Sequence, residues 1–242
     1  LLHGPLGSRK QHLPPLPAGV SPALISYVAC RFLDLKPFVL SVGLYQFPSF
    51  PHLRLESSDY GPSLCLSSGK AMEYARVSTL WNKGREIGRK LKQPLVLAEC
   101  VPGGTTTALA VLTGMGLPVA NLVSGSLLHS PIGLKKDVVE RGLDKSCLPE
   151  QPSPKTLLAA IGDPFQAVAA GMLIGAREAN QPVMLGGGSQ MLAVLALALA
   201  AVNPSRRLAF VKGLSVATTS WLMEERQNET EKQSSLIQLV EI

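Results

Sequence analysis

Hydrophobic and polar positions are distributed differently before and after residue 93. In the first part, prolines interrupt the apolar segments, and the Ser-Pro pair that introduces residues 22–33 predicts a helix there. The apolar run at residues 38–43 (FVLSVG) predicts a short strand, and the proline-rich residues 44–64 predict a long loop. From Ser68 to Leu91 apolar side chains recur every three or four positions, which predicts one or two amphipathic helices.

After residue 93, continuous apolar runs alternate with helical patterns. The runs that predict buried strands are residues 94–99 (PLVLAE), 118–123 (PVANLV), 182–188 (PVMLGGG) and 208–213 (LAFVKG). The segments that predict helices are residues 105–115, 133–143 and 189–202, with a further helix from Pro164 onward. Apolar strands that alternate with helices are typical of a parallel sheet with both faces covered.

The expected fold class is therefore α/β: three layers, αβα, with a mostly parallel, Rossmann-like sheet and a small helical subdomain. We expect residues 1–92 to hold an N-terminal extended segment, the elements of the helical subdomain and the first strand. Residues 93–222 would form the α/β core, and residues 223–242 a polar C-terminal segment.

Composition and charge narrow the class of function. The net charge of +6 and the pI near 9.3 fit a mildly basic surface or an anionic small-molecule ligand, and no basic patch interleaves with aromatic residues as nucleic-acid platforms require. The four cysteines form no CxxC pair and have no histidine at ligand spacing, which predicts reduced thiols, a cytoplasmic protein and no metal site. The most apolar run, Met191–Val202, would be about 18 Å long as a helix, too short to span a membrane of about 30 Å.

Three glycine-rich turns carry the candidate chemistry. The turns are residues 99–107, 162–163 and 186–189, and each of them leads into a predicted helix. Ligands of parallel sheets bind beyond the carboxyl ends of the strands, and helix N-termini that follow glycine turns bind phosphate. The alternative is that these segments are only tight turns with helix caps. A P-loop is absent, and the missing G-x-G-x-x-G fingerprint disfavours an NAD(P)-dependent oxidoreductase.

Four segments resemble one enzyme family. AECVPGGTTTALAVLTG (98–114) is similar to the G-E-M-G-I-G-N-T-T segment of nicotinate-nucleotide:dimethylbenzimidazole phosphoribosyltransferases, and closer still to E-C-V-x-G-G-T-T-T-A-L-A-V-L of a divergent archaeal and cyanobacterial branch. GLKKDVVERGL (133–143), GDPFQAVAAGMLIGA (162–176) and QPVMLGGGSQMLAVLALA (181–198) resemble further family segments. The resemblance is collinear from about Pro14 to about Leu222.

The resemblance implies transfer of phosphoribose from nicotinate mononucleotide to a nitrogen of an aromatic base, without a cofactor and in a homodimer. Glu99 would be the general base. The donor phosphate would be bound by Gly103, Gly104, Thr105, Thr106, Thr107 and Lys135. The ribose and the base would be lined by Gly162, Asp163, Gly186, Gly187, Gly188 and Ser189. Neither nucleic acid nor a membrane is an expected partner.

One departure from the family leaves two functions open. The family carries its main catalytic glutamate in a glycine-flanked segment near the C-terminus, and no such segment follows Leu222. The chain is therefore expected to be either a pentosyltransferase that uses Glu99 or a catalytically impaired nucleotide-binding homologue or partner subunit with the same fold.

Overall fold

The computed structural model describes residues 22–119, 121–123, 131–220 and 235–241 of the 242-residue chain. These residues fall into two compact units, each described by itself. The first comprises the described residues up to Ser41 together with Pro48–Arg54, and the second comprises Val42–Phe47 and the described residues from Leu55 onward.

The first unit contains helix α1 (Pro22–Phe32) and a pair of two-residue parallel strands, β1 (Leu40–Ser41) and β2 (Leu53–Arg54). The predicted helix is confirmed, and the strand predicted over residues 38–43 is reduced to β1. The N–H of Leu53 donates to the carbonyl of Val39 at 2.9 Å, which continues the pairing by one residue.

The second unit contains the other elements. Its strands are β3 (Leu95–Ala98), β4 (Val183–Gly186) and β5 (Leu214–Ala217). Its helices are α2 (Tyr74–Lys90), α3 (Gly104–Gly114), α4 (Ile132–Lys145), α5 (Pro154–Ile161), α6 (Pro164–Glu178), α7 (Ser189–Ala201), α8 (Arg207–Val211) and α9 (Ser235–Glu241). Two 3₁₀ turns lie at Leu66–Ser68 and Pro204–Arg206.

The strands β3, β4 and β5 form a parallel sheet in that order, which confirms the predicted α/β class. On one face of the sheet Leu97, Val183 and Leu185 are buried in the core. On the opposite face Val96 and Met184 keep 62% and 41% of their surface exposed. The alternation follows from the two-residue period of a strand, which sends successive side chains to opposite faces.

Helices α2 and α6 pack against each other more closely than ordinary side chains allow. A Cβ atom added at Gly84 or Gly88 of α2, or at Gly171 or Gly175 of α6, would collide with the backbone of the facing helix. Small residues spaced four apart on both helices therefore let the two backbones touch. This contact holds α6 in place against α2, and the first residues of α6 belong to the candidate site described below.

Two strand predictions are wrong. Within residues 118–123, the described residues form turns instead, with the N–H of Leu122 donating to the carbonyl of Val119 at 2.9 Å. Residues 208–213 are not a strand either: α8 occupies most of them, and the strand β5 begins only at Leu214. The segment instead begins with Asn203 and Pro204, a pair that favours the start of a helical turn. The Asn203 side chain caps this turn by accepting from the N–H of Ser205 at 3.0 Å.

Helix α5 was not predicted. Its start uses the same Ser-Pro signal as α1, because Ser153 precedes Pro154 and its hydroxyl accepts from the N–H of Thr156 at 3.2 Å. The other predicted helices of the core are confirmed to within two residues at each end where an end was predicted.

Candidate active site

The carboxyl ends of the three core strands lie side by side. Ala98 of β3 pairs with Gly186 of β4, which pairs with Ala217 of β5. The next residue of each strand is Glu99, Gly187 and Thr218 respectively. Because parallel strands end at one edge, the turns after them form a common surface, and this is where ligands of such sheets bind.

The N-terminus of α3 presents polar groups at this edge. Gly103 precedes the helix with a left-handed φ of 75°, a conformation that glycine adopts without strain. The hydroxyls of Thr105 and Thr106 and the N–H of Thr105 have no hydrogen-bond partner among the described residues. Both threonines are partly exposed, so these groups remain available to a ligand.

The N-terminus of α7 presents a second set of donors beside the first. Within the described part of the chain, the N–H groups of Gly188, Ser189 and Gln190 have no partner, and neither has the Ser189 hydroxyl. The preceding Gly187 is engaged, because its N–H donates to the carbonyl of Ala217 at 2.8 Å. Helices α3 and α7 pack against each other, so two positive helix ends with open donors lie at the same edge of the sheet.

Asp163 is the N-cap of α6 and is almost completely buried, with 4% of its surface exposed. Its Oδ1 accepts from the N–H of Gln166 at 2.9 Å, and the Gln166 side chain accepts from the N–H of Asp163 at 3.1 Å, which completes a capping box. Its Oδ2 accepts from Thr107 Oγ1 at 2.5 Å and from Gln190 Nε2 at 2.9 Å. Burial raises the pKa of Asp163, while the hydrogen bonds that it accepts act in the opposite direction.

Gln190 links the starts of three helices. Its side-chain amide donates to Asp163 and, over 3.4 Å, to Thr107, and it accepts from Gln166 Nε2 at 2.9 Å. Gly104 lies so close that an added Cβ would be 3.1 Å from Gln190 Nε2, so this glycine leaves room for the amide beside α3. Gln166 could have been found in the sequence as the last residue of an Asp-x-x-Gln capping box, whereas no local pattern indicated Gln190.

Glu99 lies at the end of β3 and is exposed as a whole. Its Oε2 accepts from the N–H of Val101 at 2.5 Å, so the carboxylate caps the turn that leads into α3. The surrounding protein nevertheless desolvates the carboxyl group, and this desolvation raises the pKa of Glu99. The hydrogen bond from the Val101 N–H acts in the opposite direction, and the negative charge of Asp163 raises the pKa further.

A loop that contains none of the predicted site residues packs against the start of α6. Gly43 has a left-handed φ of 63°, and an added Cβ would be 2.9 Å from Pro164 Cγ. Its N–H donates to Glu56 Oε1 at 2.8 Å, and Glu56 is paired with Arg76 through two further hydrogen bonds of 2.8 and 2.9 Å. The ion pair is buried and holds this loop next to the Asp163 cap.

The remaining predicted residues lie around this cluster. Lys135 is in the first turn of α4 and is 7% exposed, and its backbone N–H donates to the carbonyl of Pro131 at 3.0 Å. Helix α4 packs against α3. The hydrogen bonds that Asp163 accepts from described side chains come from Thr107 and Gln190 and not from Lys135. Gly162 ends α5, and an added Cβ there would collide with Leu158, so this glycine serves the tight α5–α6 turn. Gly186 is the last residue of β4.

Thr218 is a polar residue that sequence reasoning missed. Its Oγ1 is buried and has no hydrogen-bond partner among the described residues. The sequence did not indicate it because the last strand was predicted at residues 208–213, which would have put residue 218 well beyond the edge of the sheet.

Other kinds of site find no support in the described residues. No group of three His, Cys, Asp or Glu residues there lies close enough together to hold a metal ion. No helix in the described ranges is long and apolar enough to cross a membrane. All four cysteines lie in these ranges and are free thiols.

Comparison with known proteins identifies the family and the fold. A phosphoribosyltransferase family model matches residues 27–217. A UPF0284 protein of Prochlorococcus marinus (strain MIT 9313) is 58% identical over 241 residues, and one of Parasynechococcus marenigrum (strain WH8102) is 54% identical over 225 residues. These alignments cover 100% and 93% of this chain but 60% and 56% of the relatives. The chain thus spans somewhat more than half the length of the cyanobacterial relatives that it matches.

Two solved structures share the fold. The nicotinate-nucleotide–dimethylbenzimidazole phosphoribosyltransferase of Thermus thermophilus aligns with a TM-score of 0.60 and 23% identity, over 77% of this chain and 55% of its own. CobT of the same organism aligns with a TM-score of 0.63 and 22% identity, over 81% of this chain and 58% of its own. The class that the fold and the family model define is that of the phosphoribosyltransferases. Within that class, the chain belongs to the nicotinate-nucleotide:dimethylbenzimidazole phosphoribosyltransferase family, and the two relatives named above are cyanobacterial, as the resemblance to the divergent branch predicts.

Proposed function

We propose that the protein is a phosphoribosyltransferase that binds nicotinate mononucleotide and transfers its phosphoribosyl group to a nitrogen of an aromatic base such as dimethylbenzimidazole. The product would be an α-ribazole phosphate for cobamide synthesis, made by a cytoplasmic homodimer without a cofactor. The observation that carries the proposal is the pair of open helix N-termini, of α3 and α7, beside the carboxyl group of Glu99.

The donor phosphate binds at the two helix ends. The Thr105 and Thr106 hydroxyls and the free N–H groups of residues 188–190 supply neutral donors, and the two helix dipoles favour a negative ligand. Lys135 adds a positive charge from α4. Asp163 supports this site rather than touching the ligand, because its oxygens already accept from Thr107, Gln166 and Gln190.

The transfer breaks the bond between C1′ and the nicotinate nitrogen, and nicotinate leaves with the bonding electron pair. A nitrogen of the acceptor base attacks C1′ from the opposite side, which inverts the configuration. The acceptor loses its N–H proton to Glu99, and the raised pKa of Glu99 makes this carboxylate a stronger base than an exposed one.

A second function is favoured by one contact. Because Glu99 Oε2 already accepts the N–H of Val101, this carboxylate also serves as a turn cap. The alternative function is a nucleotide-binding homologue or partner subunit that holds nicotinate mononucleotide and does not turn it over.

One assay separates the two functions. The protein is incubated with nicotinate mononucleotide and dimethylbenzimidazole, and released nicotinate and α-ribotide are quantified by chromatography. The Glu99→Gln variant should retain donor affinity within about twofold and lose turnover by a factor of about 10² or more, as expected for removal of a general base. Donor binding without nicotinate release by the wild type would establish the alternative, and a lack of donor binding would refute both.

A further inference from the structure

Thr218 has a polar group that the described residues leave without a partner. Its Oγ1 is buried, and no described residue donates to it or accepts from it. Buried hydroxyls nearly always find a hydrogen bond, so an unpaired one at a predicted ligand site calls for an explanation. The neighbouring Thr219 and Ser220 are exposed and therefore have water as a partner.

The position of Thr218 is that of a ligand-binding residue. It follows the last paired residue of β5 and lies next to Gly187, whose N–H donates to the carbonyl of Ala217 at 2.8 Å. Gly187 leads directly into the open donors at the start of α7. With a spacing of about 4.8 Å between neighbouring strands, the Cα atoms of Thr218 and Glu99 lie roughly 10 Å apart across Gly187, a distance that a bound nucleotide can bridge.

We propose that the Thr218 hydroxyl binds a hydroxyl group of the ribose of the donor nucleotide. A threonine hydroxyl both donates and accepts, which matches a neutral sugar hydroxyl, whereas the helix ends of α3 and α7 offer donors and match a phosphate. The inference rests on the proposed function, because it assumes a phosphoribosyl ligand at this edge of the sheet. It extends the candidate site to the residue that follows β5.

The test compares Thr218→Val with Thr219→Val. Valine has nearly the same shape as threonine, so each variant removes only a hydroxyl, and the neighbouring exposed residue is the matched control. Dissociation constants of the wild type and both variants are measured calorimetrically for nicotinate mononucleotide, ribose 5-phosphate and inorganic phosphate, and thermal unfolding is recorded without ligand.

Two results together are expected for Thr218→Val. Its affinity for nicotinate mononucleotide and ribose 5-phosphate should fall about three- to tenfold, the value of one hydrogen bond, while its affinity for inorganic phosphate stays unchanged. Its unfolding temperature without ligand should rise by about 2–4 °C, because the variant no longer buries an unpaired hydroxyl. Thr219→Val should change neither quantity.

Other results overturn the inference. If Thr218→Val binds ribose 5-phosphate as tightly as the wild type, the hydroxyl does not touch the sugar; if inorganic phosphate is weakened equally, the contact is to the phosphate instead. A lower unfolding temperature for Thr218→Val than for Thr219→Val would show that the hydroxyl has a partner within the protein. Failure of the proposed function looks different, since the wild type itself would then bind neither nucleotide nor ribose 5-phosphate.

Discussion

Replacement of Gln190 by methionine should destabilise the protein through its polar contacts alone. Methionine has the length and the unbranched shape of glutamine, so packing is nearly preserved. The variant removes the donor to Asp163 Oδ2 at 2.9 Å, the weak donor to Thr107 at 3.4 Å, and the acceptor of Gln166 Nε2 at 2.9 Å.

The magnitude follows from these contacts. The hydrogen bond to a carboxylate contributes about 1.5–3 kcal/mol, and leaving the fully buried Gln166 amide without its acceptor costs about 1–3 kcal/mol more. We therefore expect a loss of about 3–5 kcal/mol in the free energy of unfolding. For a chain of this size, that corresponds to a fall of roughly 10 °C in the unfolding temperature.

The assay is urea unfolding followed by circular dichroism, with Gln93→Met as the control, since Gln93 is exposed and makes no side-chain hydrogen bond to the described part of the chain. The control should change the free energy of unfolding by less than about 0.5 kcal/mol. Hydrogen exchange of the Thr107 and Leu192 amides, both of which donate within the first turns of α3 and α7, should become faster in Gln190→Met. A loss below about 1 kcal/mol with unchanged exchange would refute the view that Gln190 ties the helix starts together.

Three further predictions concern the same region. Burial raises the pKa of Asp163 in the folded state above the unfolded value of about 3.9. The contribution of Asp163 to the stability of the fold is therefore complete below about pH 4 and is lost as the pH rises through the folded-state pKa. The difference in unfolding temperature between the wild type and Asp163→Asn should shrink over this pH range. Arg76→Met should cost about 3–5 kcal/mol in urea unfolding, because it strands the buried Glu56, whereas Lys90→Met at the exposed pair with Glu86 should leave the unfolding midpoint nearly unchanged. Gly104→Ala should lower the unfolding temperature of the wild type, since its Cβ would press on Gln190, and should lower it by less in a Gln190→Asn background; additive effects of the two changes would argue against this contact.

The sequence by itself determined the local elements of the core. The apolar run before Glu99 and the run before Gly187 are strands, and the Asp163-Pro164 pair begins a helix, because strand periodicity and helix capping depend on neighbours within a few residues. The same local signals, together with the glycine-rich turns, are the basis of the proposed phosphate site.

Only the tertiary structure decided which side chains meet there. Thr107 and Asp163 are 56 residues apart in the chain, and Gln190 is 27 residues beyond Asp163, yet one buried network joins them. The network depends on the close packing of α2 against α6, which sets the position of the Asp163 cap. Thr218 reaches the edge of the sheet only because Leu214–Ala217, and not the preceding apolar run, pairs with β4. Long-range hydrogen bonds and strand pairing are selected by the packing of the whole core, and a local pattern of residues does not contain that information.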